Sequence, residues 1–142
     1  MNRWTLEELC PDFSEWPGRW MGLPEDKSYG EGLLDAMRPF VNHLLASGLT
    51  KRVIRRHLDN LWLLGGEIIR EVNRHEEHGT PPKEKLWKSV DSEGGPMCRH
   101  LASEAGQNSF DCTCRKLHGF FKARESASEK TISAGGGHAR NI

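Results

Sequence analysis

The chain has 142 residues, 36% of them hydrophobic and 28% charged, with a mean hydropathy of -0.66; this suits one small-cored domain and argues against a two-domain enzyme. Twenty basic and twenty acidic side chains cancel, which argues against coating of nucleic acid by bulk charge. No apolar run approaches the roughly 18 residues of a membrane span, and no signal-like apolar stretch follows Met1 to Trp4. A soluble, cytoplasmic protein is therefore expected, with Cys10, Cys98, Cys112 and Cys114 as reduced thiols.

Residues 1 to 30 form an expected aromatic arm. Trp4, Phe13, Trp16 and Trp20 are interrupted by Pro11, Pro17, Gly18, Gly22 and Pro24, leaving room only for a short helix over about Thr5 to Cys10. Thr5 and Glu8 have capping-box spacing. From Glu31 to Ser47, Leu33, Leu34, Met37, Phe40, Val41, Leu44 and Leu45 recur at three- and four-residue steps and predict one buried helical face. Pro39 is expected to kink or split that helix near Arg38.

Gly48 supplies a left-handed cap and Thr50 an N-cap for a second helix over Lys51 to Arg74, closing a helical hairpin over 31–75. In that helix Ile54, Leu58, Leu61, Trp62, Leu64, Ile68, Ile69 and Val72 follow a helical period. Its Gly65-Gly66 pair predicts close approach of another element, since each interior glycine costs about 1 kcal/mol against alanine. Gly79, Pro81 and Pro82 break the chain before a short helix over Lys83 to Val90. A last helix is expected from Ser109 to Ala123, with Phe110, Cys114, Leu117 and Phe121 on one side. Serine, alanine, glycine and lysine then predict a flexible tail over 125–142. No segment alternates like a strand, so the expected fold is all-α: a single helical domain over 1–124, its hairpin covered by the arm and by closing helices over 83–124.

Charge is unevenly spread. Residues 1 to 31 hold three basic and seven acidic side chains, whereas residues 32 to 75 hold seven and four. Lys51, Arg52, Arg55 and Arg56 fall within six residues with no acid among them. Cations at a helix N-terminus oppose the macrodipole, and a phosphate would resolve the conflict because first-turn N–H groups and arginine forks would meet the same anion. The competing reading is a solvated basic face, paired with the acidic arm.

At these residues the chain resembles a known family. Phe40-Val41-Asn42-His43-Leu44-Leu45-Ala46-Ser47-Gly48-Leu49, then Thr50 and a basic helix running into Leu61-Trp62, looks like the core-binding, SAM-like domain of tyrosine recombinases, or phage integrases, over about Leu33 to Arg74. The resemblance implies a helical bundle that clamps DNA in a mobile-element context, with Thr50, Lys51, Arg52, Arg55 and Arg56 as backbone-contacting positions. The family's catalytic pattern is not matched. No His-x-x-Arg motif occurs, and Tyr29, the sole tyrosine, has no accompanying catalytic arginines.

Other constellations carry less chemistry. Cys98, His100, Cys112, Cys114 and His118 include zinc-type ligands, but Cys112 and Cys114 diverge by about 200 degrees on a helix and the spacing matches no standard finger. Packing of the thiols as small side chains is the competing use, and no metal or cofactor is expected. His75-Glu76-Glu77-His78 lacks the His-x-x-x-His spacing of a metal helix. No nucleophile elbow, phosphate-binding glycine loop or dinucleotide fingerprint is present, so no catalytic residue is assigned. The expectation is a non-enzymatic module contacting double-stranded DNA. Its alternative is a small regulatory or protein-interaction protein, with Trp16 and Trp20 as anchors for a partner if they are not buried in the chain's own core.

Overall fold

The computed structural model describes residues 3–98, 101 and 103–135, the side chains of 128–135 excepted. Six α-helices and one 3-10 turn make up these residues, and no strand occurs among them. They are α1 (Leu6–Leu9), a 3-10 turn (Phe13–Glu15), α2 (Trp16–Trp20), α3 (Glu25–Ala46), α4 (Lys51–His75), α5 (Pro82–Ser89) and α6 (Glu104–Gly135). The fold is all-α.

Helices α3 and α4 are its axis. A left-handed Gly48 (φ 80) and the four-residue connection after Ala46 reverse the chain. The pair is antiparallel: Asp26 at the start of α3 accepts a hydrogen bond from Asn73 Nδ2 near the end of α4 at 2.9 Å. Leu33, Met37, Phe40, Val41 and Leu44 of α3 meet Ile54, Leu58, Leu61, Leu64 and Ile68 of α4 in the core, all nearly inaccessible to water. Each of the larger side chains contributes roughly 1.5–3 kcal/mol by leaving water. α2 packs against α3 and α4, α5 against α3, and α6 against α4 through Phe110, Cys114 and Leu117.

Several expectations are corrected. α3 is not split at Pro39; it runs unbroken from Glu25 to Ala46. Proline forfeits one main-chain bond, but burial of Met37, Phe40 and Val41 around it holds the helix together. α3 also begins six residues before Glu31, because Gly30 and Gly32 are points of close approach rather than breakers. A side chain at Gly30 would press on Pro17 and Trp20, and one at Gly32 on Pro82. The arm is correspondingly more regular than expected: Pro17 sits in the first turn of α2, where its missing N–H leaves no helical bond unmade. α6 starts at Glu104 rather than Ser109, with the Ser103 hydroxyl accepting from the Gly106 N–H at 3.0 Å. Its helical backbone reaches Gly135, with Lys122 to Ala127 exposed beyond the core, as suits the start of the expected tail. Residues 136–142 lie outside the described residues.

Other expectations hold. Thr5 and Glu8 form the capping box, with the Thr5 N–H donating to Glu8 Oε1 at 2.9 Å. No described helix is long and apolar enough to cross a membrane.

Candidate nucleic-acid interface

The start of α4 is fixed before any ligand is considered. Thr50 has extended backbone (φ -69, ψ 156), and its Oγ1 accepts from the Val53 N–H at 3.2 Å. Ile54, His57, Leu58 and Leu61 bury the inward side of the helix. The same rotation turns Lys51, Arg52, Arg55 and Arg56 outward, and all four, with Thr50, are exposed.

Among the described residues none of these four cations forms an ion pair with a carboxylate. Lys51 Nζ lies 5.7 Å from the centre of the Trp4 ring and acts through space on Glu8 of the arm, and Arg55 acts through space on Asp59. The acidic arm instead spends its charge locally: Glu15 pairs with Arg19, and Asp26 with His78. Positive charge thus stands at a helix N-terminus with no carboxylate in ion-pair contact among the described residues, Glu8 and Asp59 acting on it only through space.

Directly beneath, His57 anchors α4 to α6. Its Nδ1 is 2.7 Å from Thr113 Oγ1, and Asn60 Nδ2 donates to the same oxygen at 2.9 Å and to the Ser109 carbonyl at 3.1 Å. The His57 Nε2 is buried without a partner. Burial, reinforced by Lys116 and Arg56, pushes the imidazole down to about 4, so it is neutral at pH 7 and the surface charge comes from lysine and arginine alone.

Further along the exposed side of α4 stands Trp62, 40% exposed and the one tryptophan among the large exposed hydrophobic side chains. Sequence periodicity assigned it to the core, and the structure corrects this. At 100 degrees per residue Trp62 lies about 20 degrees from Arg55 and about 40 degrees from the buried Leu58, at the edge between the two sides of the helix, a position that periodicity alone assigns to neither. It borders a cleft of about 380 Å3 shared with Cys10, Asp12, Trp16, Arg19, Asp59 and Leu63. Desolvation raises the Asp59 carboxyl above its ordinary range; Arg55 opposes this and Asp12 adds to it. Burial and a hydrogen bond to Asp12 push the Cys10 thiol up to about 12, which leaves it protonated and unreactive.

The other sequence candidates lie apart from this surface. Trp16 and Trp20 are 2% and 9% exposed, so the alternative of partner contact through them gives way to packing within the chain. Cys98 and Cys114 are buried, with burial raising the Cys114 thiol. His118 stacks on Trp87 with ring centres 4.9 Å apart and planes 9° from parallel. His100 lies outside the described residues, and among those described no three His, Cys, Asp or Glu side chains are grouped to hold a metal.

Compared with known proteins, the chain matches no family model, no curated protein and no solved structure.

Proposed function

We propose that this protein is a non-enzymatic, DNA-contacting helical module that grips phosphates through Thr50, Lys51, Arg52, Arg55 and Arg56. The observation that carries the reading is the shared outward exposure of four cations at the start of α4, none of them in ion-pair contact with a carboxylate among the described residues. A phosphate there meets the first-turn N–H groups that Thr50 does not cap, the positive end of the helix and arginine forks together. Such contacts give affinity with little sequence readout. The resemblance of Leu33 to Arg74 to the core-binding domain of tyrosine recombinases supports the same surface and a mobile-element setting, and the lack of a membrane-spanning helix among the described residues is compatible with a cytoplasmic location.

The test is a fluorescence-anisotropy titration of a labelled duplex at about 50 mM salt. Wild type binds, and a variant with Lys51, Arg52, Arg55 and Arg56 all changed to alanine loses binding while keeping its helical circular dichroism. Absence of wild-type binding under those conditions removes the reading.

A second reading rests on another observation. Gly32, Ala36, Pro39, Pro81, Trp87 and Phe121 line a groove of about 880 Å3 among α3, α5 and α6, which suits a protein-interaction module with no nucleic-acid role. In that case the four-alanine variant retains all activity and substitutions at Trp87 and Phe121 abolish it.

A further inference from the structure

The exposed line of α4 does not end with its arginines. Two helical turns after Arg55, about 10 Å along the axis and within about 20 degrees of the same line, Trp62 is 40% exposed, and Lys51 lies on that line one turn before Arg55. An aromatic side chain in line with cations is an arrangement that receives single strands, with bases stacking on the ring while phosphates follow the charge.

The acids beside Trp62 decide which part of a strand lies there. Asp12 and Asp59 line its cleft, and their carboxylates repel phosphate. The same oxygens accept hydrogen bonds from the N–H edge of an unpaired base. Base and backbone are thereby sorted on this surface, the base to the indole and its carboxylates, the phosphates to Lys51 and Arg55. In a duplex the base faces are stacked and the N–H edges paired, so Trp62 gains nothing from it.

We infer that α4 holds single-stranded DNA, with one unstacked base on Trp62 and the adjoining phosphates on Lys51 and Arg55, which share its line on the helix. The inference rests on the phosphate-gripping reading above and adds the class of strand. Stacking of one base contributes about 1–3 kcal/mol, which corresponds to roughly a 5- to 150-fold difference in affinity.

The experiment compares a labelled single strand of about 20 nucleotides with the duplex of the same sequence, using wild type, Trp62→Leu and Trp62→Phe. The single strand binds wild type more tightly than the duplex does. Trp62→Leu weakens single-strand binding at least about 5-fold and leaves duplex binding alone, and Trp62→Phe restores most of the loss. Because Trp62 is half-buried, a second readout uses the unaltered protein: the Trp62 indole N–H resonance shifts on adding the single strand and stays in place on adding the duplex. Equal binding of both strands with no effect of Trp62→Leu, or a resonance that does not move, overturns this inference and leaves the phosphate reading standing. Failure of wild type to bind either nucleic acid overturns both.

Discussion

The indole N–H of Trp20 donates to the main-chain carbonyl of Trp62 at 2.9 Å, and its six-membered ring lies directly over Gly65. This one side chain binds the arm to the hairpin, and it does so where α4 has no Cβ to hold it off. An alanine Cβ at Gly65 would stand 2.1 Å from Trp20 Cζ2, whereas one at Gly66 would meet nothing nearer than 3.6 Å.

Neighbouring glycines should therefore respond with opposite signs. Gly65→Ala displaces Trp20 and is expected to destabilise by about 2 kcal/mol or more despite its better helix propensity. Gly66→Ala keeps the contact and is expected to gain up to about 1 kcal/mol. Urea denaturation of the two variants checks this; a stabilised Gly65→Ala would contradict the packing described.

Acid should weaken the fold in two stages. His57 is about 4 when folded against an ordinary 6.5, so below pH 6.5 the unfolded chain binds its proton first and stability falls until about pH 4. The loss reaches about 3 kcal/mol. Stability from this residue is complete above pH 6.5. Burial opposes ionisation of Asp26, but hydrogen bonds from Asn73, His78 and the N–H groups of Leu23 and Gly22 outweigh it and hold the carboxyl down to about 2. Its contribution is present above pH 3.8 and is lost as pH falls towards 2. Denaturation midpoints between pH 7.5 and 4.5 should fall in wild type and change much less in His57→Gln.

Arg52 should affect folding and binding in opposite directions. It sits in the first turn of α4, where a cation opposes the macrodipole and an acid favours it. Arg52→Glu is expected to raise stability by about 0.5–1 kcal/mol at low salt, through removal of the unfavourable charge and addition of a favourable one, and to lower DNA affinity at least tenfold. Paired thermal melts and anisotropy titrations measure both. A variant that loses stability would mean that Arg52 has a structural partner.

Much of this architecture is legible in the sequence because local chemistry fixes it. Thr5 with Glu8, and Gly48 with Thr50, state their caps through backbone geometry that few other residues supply. Gly65 announces close packing, though not that Trp20 fills it. The start of α3 at Glu25 is not legible, since Gly30 and Gly32 make sense only with Pro17, Trp20 and Pro82 already against them. Exposure of the basic cluster follows from helical periodicity, while Trp62 sits at the edge of the buried side, between Leu58 and Arg55, where an apolar residue reads as core although the structure leaves it 40% exposed.

The salt dependence of duplex binding tests the phosphate grip most directly. With phosphates on Lys51, Arg52, Arg55 and Arg56, the logarithm of wild-type affinity falls steeply with the logarithm of salt concentration. The four-alanine variant, where its binding is still measurable, is shallower by up to about 3.6, or 0.9 for each phosphate contact removed. Equal slopes for the two proteins would contradict the account.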